Sequence, residues 1–394
     1  ATLKHFPGKG DSAVDTHHSL AVVHRSRTEM AERELVPFRA AIAAGARVVM
    51  SGHFATPALS GDETTPATLS RPVMSELLRG ELGFRGVAIS DALDMKALAQ
   101  GAGQVVEVIA ALRAGIDLLL MAGDAQPHDP LLTGLRQAAA RGLVDPQAIA
   151  DSLARVRALR EWLAGFEDPP LAVVGCADHR GLAGELAARS ITLVRDGPAL
   201  LPLRPAADAT IGVIMPRPSD LTPADTSSFV DPALADVVRS RHGRTEALVT
   251  SPSPNEADVR AAVALARRSD VVVLGTISAS LEPAQAELAE QVLACGTPAV
   301  TVALRTPWDL AAYPAARTHL CSYGLLPTTL EALAAVLFGE ASATGRLPVT
   351  LGATWDLHAR LIDTLLHSLT LGERRCESTV RDRHSAHARI MRNK

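Results

Sequence analysis

A carboxylate and an imidazole stand two positions apart near the start of the sequence, at Asp15 and His17. The segment that carries them is interrupted by Pro7, Gly8 and Gly10, which disfavour regular secondary structure. A side chain that must swing onto a substrate is suited to such a loop. The pair is therefore a candidate for proton transfer, with His17 as general acid or base and Asp15 orienting its ring. A surface pair without a function is the other interpretation.

A second carboxylate, Asp91, follows directly after the apolar run 87–90. A carboxylate at that place is costly unless it is exposed at a strand end or paired. The functional interpretation is a nucleophile that attacks an acetal carbon while a second group protonates the leaving oxygen. The alternative is that Asp91 caps the next helix. His53 follows another apolar run in the same way, and it either lines the same pocket or has a structural role.

Short apolar runs alternate with helix-like periodicity through the first part of the chain, which is typical of parallel β/α units. The runs at 47–50, 86–90 and 116–121 predict strands. The segments between them predict helices at 20–44, 70–82 and 105–114, with Ser70 as an N-cap.

In such units the chemistry lies where the strands end. Four such ends are visible: the loop after residue 4, then His53, Asp91 and Gly123-Asp124. A closed (β/α)₈ barrel has eight strands, so the sequence predicts the second half of a barrel, with the first half outside this sequence. A half-barrel would expose unpaired strand edges, so the chain alone is expected to be at risk of instability and inactivity.

The predicted domain boundaries follow from the positions of helix-breaking prolines and from the spacing of apolar residues. Residues 1–166 form the partial barrel, which ends with a helix at 145–163, and the prolines of 167–170 make a linker. Residues 171–352 form an α/β sandwich. Its predicted elements are strands at 210–215, 270–275 and 298–304 and helices at 255–268 and 283–294. Residues 353–394 are predicted to be an irregular basic tail.

Composition excludes several classes of protein. The 394 residues are 47% hydrophobic and 21% charged, which is typical of a globular chain. A net charge of −4 and an aromatic content of 3% argue against nucleic acid as a partner. Four scattered cysteines predict neither a zinc site nor a disulfide framework, and no apolar run is long enough for a membrane span.

Several ordered motifs then resemble glycoside hydrolase family 3, and more narrowly its β-N-acetylglucosaminidase (β-N-acetylhexosaminidase) branch with an Asp-His dyad. The motifs are Lys4-His-Phe-Pro-Gly-x-Gly with Asp15-Thr-His, Pro66-Ala-Thr-Leu-Ser70, and Leu82-Gly-Phe-Arg-Gly-Val-Ala-Ile-Ser-Asp-Ala-Leu-Asp-Met95. In the second domain, Ala188-Arg-Ser-Ile-Thr-Leu-Val and Gly345-Arg-Leu-Pro-Val349 agree with that family's sandwich. The resemblance covers about residues 2 to 352.

The resemblance implies a role for each matching residue. Asp91 would be the nucleophile, His17 the general acid/base and Asp15 its orienting partner, while Lys4 and His5 would hydrogen-bond sugar hydroxyls. It implies retaining removal of terminal β-linked N-acetylglucosamine from peptidoglycan- or chitin-derived glycans, with no metal and no organic cofactor. Lys9 stands where the family motif often has histidine, so a different hydrogen bond within the loop is expected.

Three other functions stay open at this point. A β-glucosidase of the same family is disfavoured by the Asp15-Thr-His triplet. A glycoside phosphorylase is compatible with a histidine in place of a glutamate, because one less negative charge repels phosphate less. A sugar-binding or inactive fragment is the alternative of another class. The sequence decides neither the oligomeric state nor whether the protein is cytoplasmic or secreted.

Overall fold

The computed structural model of the protein describes residues 1–10, 12, 16–17, 19–121, 129–222 and 224–351. The chain divides between Pro170 and Leu171 into two compact units. The predicted basic tail at 353–394 and the strand end at Gly123-Asp124 lie outside the described residues.

A parallel sheet of four strands in the order β1-β3-β5-β6 forms the centre of the first unit. These strands are β1 (Leu3–Phe6), β3 (Val48–Ser51), β5 (Val87–Ala92) and β6 (Leu118–Leu120), and the short strands β2 (Ala21–Val22) and β4 (Phe54–Ala55) pair separately. β3, β5 and β6 agree with the strands predicted from the apolar runs 47–50, 86–90 and 116–121, whereas residues 4–6, which were predicted to belong to a loop, form most of β1. Their carboxyl ends lie along one edge of the sheet.

Helices connect these strands, as parallel pairing requires. They are α1 (Arg27–Glu32), α2 (Val36–Ala43), α3 (Pro57–Ser60), a π-helical segment (Pro72–Glu81), α4 (Ala102–Ala114), α5 (Asp129–Ala140) and α6 (Pro146–Leu163), with a short 3₁₀ turn at Ala67–Leu69. The core of the unit is built from both layers. Phe6 of β1 packs edge-on against Phe38 of α2, with ring centroids 5.2 Å apart, and Val49 and Met74 are buried beside them.

Two local predictions were wrong. The single helix expected at 20–44 does not form: residues 20–26 are non-helical and include β2, and the rest is divided into α1 and α2, because Pro37 cannot continue a helix and instead stands in the first turn of α2. Ser70 does not cap the following helix: its hydroxyl is buried and has no hydrogen-bond partner among the described residues.

Asp117 joins three elements of the first unit. Its fully buried carboxylate accepts hydrogen bonds from Arg79 Nη2 at 2.7 Å, Arg155 Nη2 at 2.7 Å, Ser152 Oγ at 2.6 Å and the Ala88 amide at 2.8 Å. These contacts connect the residue before β6 to β5, the π-helical segment and α6. The cluster lies at the amino-terminal ends of the strands, at the edge of the sheet opposite to the edge that carries Asp91, where it serves stability.

We expect Asp117→Asn to lower the free energy of unfolding by about 3 kcal/mol, because it leaves two largely buried guanidinium groups without their counter-charge. Urea denaturation measures the change. The matched control is Glu81→Gln, which breaks the exposed ion pair with Arg27 and should cost less than about 1 kcal/mol. Equal losses in the two variants would show that the Asp117 cluster does not stabilise the unit.

The second unit is a six-stranded sheet in the order β7-β12-β11-β10-β8-β9, parallel except for β7 at one edge. Its strands are β7 (Thr192–Asp196), β8 (Ile211–Pro216), β9 (Thr245–Thr250), β10 (Val271–Thr276), β11 (Ala299–Ala303) and β12 (Thr318–Cys321). Its helices are α7 (Ala177–Ser190), α8 (Leu234–Arg239), α9 (Glu256–Arg268), α10 (Pro283–Leu293), α11 (Asp309–Ala312) and α12 (Pro327–Leu337). Separate apolar clusters form on the two faces, so this is the predicted layered α/β sandwich.

A histidine is completely buried in the centre of this sandwich. His319 Nδ1 lies 2.8 Å from Thr301 Oγ1, which itself donates to the Thr318 carbonyl at 3.0 Å, so the ring nitrogen is the donor in this pair. Burial, with the nearby charge of Arg195, lowers the pKa of His319 to about 3. Burial also raises the pKa of the Cys321 thiol to about 12, so the thiol stays protonated 3.8 Å from His319 Nε2.

Acid should destabilise the second unit through His319. Below the usual histidine pKa of about 6.5 the unfolded chain binds a proton that the folded ring cannot accept, so stability is lost as the pH falls. Between pH 7 and pH 5 the loss should be about 2 kcal/mol. His319→Asn keeps a partner for Thr301 and should remove this share of the pH dependence in urea denaturation. An unchanged pH dependence in that variant would contradict the assignment.

Candidate active site

Three neighbouring strands bring the predicted residues to one edge of the first unit's sheet. β1 carries Lys4 and His5, β3 is followed by His53, and β5 carries Asp91. Since β1 pairs with β3 and β3 with β5, all in parallel, the carboxyl ends of the three strands are adjacent. Residues separated by 86 positions in the sequence therefore form one cluster.

The carboxylate of Asp91 is held at both oxygens. Its Oδ1 accepts a hydrogen bond from the Ala92 amide at 2.9 Å, and its Oδ2 lies 3.6 Å from Nε2 of His5. The side chain keeps 18% of its surface exposed, so it remains accessible from the strand-end side. Asp91 therefore does not cap a helix: it is the penultimate residue of β5, and its nearest cation-forming neighbour is His5.

An irregularity in the strand pairing accompanies Asp91. The register of β5 against β6 shifts between Ile89 and Ala92, and the buried Ser90 hydroxyl accepts the Leu120 amide at 2.9 Å, in place of a backbone carbonyl. Bulges of this kind redirect a side chain beside a functional site. Sequence analysis did not identify Ser90 as a contributor. Its polar side chain inside an otherwise apolar run was the available signal.

His5 is predominantly neutral at the site. Partial burial of its ring lowers its pKa, the negative charge of Asp91 opposes this, and the positive charges of Lys4, Lys9 and His17 add to the lowering. The side chain keeps 33% of its surface exposed, so a neutral imidazole beside Asp91 can exchange hydrogen bonds with a bound polyol.

The loop after β1 places His17 close enough to His5 to influence its pKa. Gly8 has a φ of +112°, and a Cβ at this position would lie 2.5 Å from Cβ of Glu34, so glycine is required for the path of the loop. Lys9 Nζ donates to the buried Thr16 hydroxyl at 3.3 Å. Asp15 lies outside the described residues, and its role stays a prediction.

Lys4 and His53 differ in exposure. Lys4 is exposed, whereas His53 is completely buried, with Nδ1 at 2.8 Å from Thr68 Oγ1 and Nε2 at 3.0 Å from the Ala92 carbonyl. Both ring nitrogens of His53 thus have protein partners, which favours the structural alternative over direct contact with a ligand. Burial lowers the pKa of His53, although Asp91 and the nearby backbone carbonyls oppose this.

The residues of the described ranges do not group into a cluster of three or more His, Cys, Asp or Glu side chains that could hold a metal ion. Within the same residues, no helix combines the length and the apolar character needed to cross a lipid bilayer.

The chemistry open to the side chains at the carboxyl ends of β1, β3 and β5 is attack by Asp91 on an electrophilic carbon, with imidazole groups beside it to donate or accept protons.

Comparisons with known proteins agree with this chemistry. The profile of the Glycosyl hydrolase family 3 N terminal domain matches residues 1–159, and that of the Glycosyl hydrolase family 3 C-terminal domain matches residues 191–375. The chain is 30% identical over 387 residues to a beta-N-acetylglucosaminidase/beta-glucosidase of Cellulomonas fimi, across 91% of this chain and 67% of that protein. It is 29% identical over 400 residues to beta-hexosaminidase A of Pseudoalteromonas piscicida, across 89% of this chain and 65% of that protein.

A solved structure is similar over the same extent. The glycoside hydrolase family 3 beta-N-acetylglucosaminidase from Paenibacillus sp. str. FPU-7 superposes with a TM-score of 0.82 at 30% identity, across 89% of this chain and 67% of that chain. The chain thus spans about two thirds of the length of these three proteins.

Proposed function

Because the chain belongs to glycosyl hydrolase family 3, we propose that it is a retaining glycoside hydrolase that removes terminal β-linked N-acetylglucosamine from peptidoglycan- or chitin-derived glycans. The observation that carries the proposal is the Asp91 carboxylate. It is partly exposed at the end of β5, fixed by the Ala92 amide and flanked by a neutral His5. The names of the relatives from Cellulomonas fimi and Pseudoalteromonas piscicida support the choice of sugar.

In the first step of the proposed reaction, an oxygen of Asp91 attacks the anomeric carbon from the face opposite the leaving group. His17 donates a proton to the glycosidic oxygen as the carbon–oxygen bond breaks, which leaves a glycosyl ester on Asp91. Lys4 and His5 hydrogen-bond the hydroxyls of the sugar and hold the anomeric carbon at the carboxylate.

In the second step, neutral His17 takes a proton from a water molecule, whose oxygen attacks the anomeric carbon and displaces Asp91. Two inversions at one carbon give overall retention. The role proposed for Asp15 is to orient the ring of His17 for both proton transfers.

Product analysis on a chromogenic substrate tests the proposal. The protein should release 4-nitrophenol from 4-nitrophenyl N-acetyl-β-glucosaminide, and proton NMR should show the β-anomer of N-acetylglucosamine as the first product. Initial formation of the α-anomer would contradict a retaining mechanism. Absence of turnover, with the sugar still bound, would favour the sugar-binding alternative.

A β-glucosidase activity is the second candidate, since the Cellulomonas fimi relative is named for both sugars. Parallel assays with 4-nitrophenyl β-glucoside compare the two substrates by kcat/KM. The same assays with and without inorganic phosphate separate hydrolysis from phosphorolysis, because only phosphorolysis yields a sugar 1-phosphate.

A further inference from the structure

The fully buried His53 ring lies directly behind the strand end that carries Asp91. Its Nε2 is 3.0 Å from the carbonyl oxygen of Ala92, and its Nδ1 is 2.8 Å from the hydroxyl of Thr68. A carbonyl oxygen only accepts hydrogen bonds, so Nε2 carries the proton and is the donor. In the neutral ring Nδ1 is then the acceptor, and Thr68 donates to it.

Thr68 has a second buried hydroxyl as a partner. Its Oγ1 lies 2.8 Å from Ser51 Oγ, while the Gly52 carbonyl, at 3.2 Å, is a more distant alternative acceptor for the single Thr68 proton. Ser51 can therefore donate to Thr68 while Thr68 donates to His53. The relay starts in β3, passes through the 3₁₀ turn at Ala67–Leu69, and ends at the last residue of β5. Such a buried and mutually satisfied chain holds the imidazole in one orientation.

Ala92 connects the imidazole of His53 to the carboxylate of Asp91 through its backbone. Its amide donates to Asp91 Oδ1 at 2.9 Å, while its carbonyl accepts from His53 and, at 3.1 Å, from the Met95 amide. The two polar groups of Ala92 are thus bonded to the carboxylate on one side and to the imidazole on the other. The strand pairing is irregular just here, since the register of β5 against β6 shifts between Ile89 and Ala92. The hydrogen bond from His53 holds the Ala92 carbonyl at this irregular point of the strand.

We propose that His53 is a positioning residue for the reaction: through the carbonyl of Ala92 it holds the amide that fixes the Asp91 carboxylate. This inference rests on the proposed function, in which Asp91 is the nucleophile. His53 touches neither substrate nor the reacting atoms, so it acts on the rate of attack and leaves the binding of the sugar unchanged. A carboxylate displaced by about 1 Å loses on the order of 10²-fold in rate.

Two amide substitutions separate the two hydrogen bonds of the ring. The amide of glutamine occupies the place of Nε2, so His53→Gln keeps the donor to Ala92 and loses the contact with Thr68. The shorter His53→Asn keeps a partner for Thr68 and loses the donor to Ala92. Thr68→Val removes the hydrogen bond between Thr68 and Nδ1 and keeps the hydrogen bond from Nε2 to the Ala92 carbonyl, so it serves as an independent control.

The rate of covalent trapping of Asp91 by a 5-fluoro N-acetylglucosaminyl fluoride measures the attack step directly. His53→Asn should lower both this rate and kcat by about 10²-fold, with KM changed less than about twofold. His53→Gln and Thr68→Val should stay within about fivefold of the parent. Equal losses in the asparagine and glutamine variants, or a parental trapping rate in His53→Asn, would overturn the proposal.

Hydrogen exchange of the peptide that spans 87–95 gives a readout that does not depend on activity. Exchange should accelerate in His53→Asn and stay parental in His53→Gln, since only the former releases the Ala92 carbonyl. Identical exchange in the two variants would overturn the positioning role even in an inactive protein. A parent that neither turns over nor traps the fluoride would refute the proposed function, while the exchange data still decide the role of His53.

Discussion

Replacing Asp91 by alanine is expected to lower kcat for 4-nitrophenyl N-acetyl-β-glucosaminide by at least about 10⁴-fold while the protein stays folded. The carboxylate is the group that forms the covalent bond to the sugar, and the side chain that the structure places against it is the imidazole of His5. Because Asp91 is partly exposed and its closest side-chain partner, His5, is mostly neutral, its removal leaves no unpaired buried charge. The melting temperature should therefore change little.

Chemical rescue makes this prediction specific to a nucleophile. Azide fits the space left by the carboxylate and should restore part of the turnover of Asp91→Ala, with the α-glycosyl azide as product. The matched control is Asp151→Ala on the exposed side of α6, which should keep parental kcat. Near-parental activity of Asp91→Ala would refute the assignment.

Replacing His17 by alanine should have the second largest effect, a loss of about 10²- to 10⁴-fold in kcat on substrates whose leaving group needs a proton. His17 lies on the loop after β1, close enough to lower the pKa of His5, which lies beside Asp91. With a 2,4-dinitrophenyl leaving group, which departs without protonation, formation of the glycosyl-enzyme should remain near the parental rate. Its breakdown should be slow, because no base activates water.

The rescue product again identifies the role. Azide should attack the glycosyl-enzyme of His17→Ala and give the β-glycosyl azide, opposite in configuration to the product of Asp91→Ala. His24→Ala is the matched control, since that imidazole is largely exposed and lies 3.7 Å from Glu63 on the surface. Equal losses on the activated and the unactivated substrate would exclude His17 as the general acid.

Two of the strands that carry the site, β3 and β5, were predictable because they are short apolar runs that end at polar residues, whereas β1 has the sequence Leu-Lys-His-Phe and shows no such run. Asp91 stands out on that pattern alone, and the ordered motifs around it indicated a family that the comparisons confirmed. The sandwich of the second unit was predicted for the same reason. Its strands β8, β10 and β11 are almost entirely buried, so their sequences are continuously apolar.

Three strands of the sandwich lacked that signal. β9 is an edge strand with exposed residues such as Glu246, and β7 at the other edge contains Arg195 and Asp196. β12 is buried but contains Thr318 and His319, whose hydrogen-bond partners come from elsewhere in the chain. Polar residues of this kind are compatible with a strand only in their tertiary environment.

The internal organisation of the site was also beyond prediction from local patterns. His53 depends on Thr68 and on Ala92, which is 39 positions away, and the function of Ser90 depends on an amide of β6. A single sequence shows that His53 follows a strand, but not which way its ring turns. The direction of the His53 ring decides which of two roles the residue has: contact with the sugar, or positioning of the nucleophile Asp91.

Identification of the residue labelled by 5-fluoro N-acetylglucosaminyl fluoride tests the central claim most directly. After proteolysis, mass spectrometry should locate the N-acetyl-5-fluoroglycosyl ester on Asp91, and an excess of free N-acetylglucosamine should protect the protein from labelling. A label on any other residue, or turnover of the chromogenic substrate without any covalent intermediate, would contradict the account of Asp91 as the nucleophile of a retaining hydrolase.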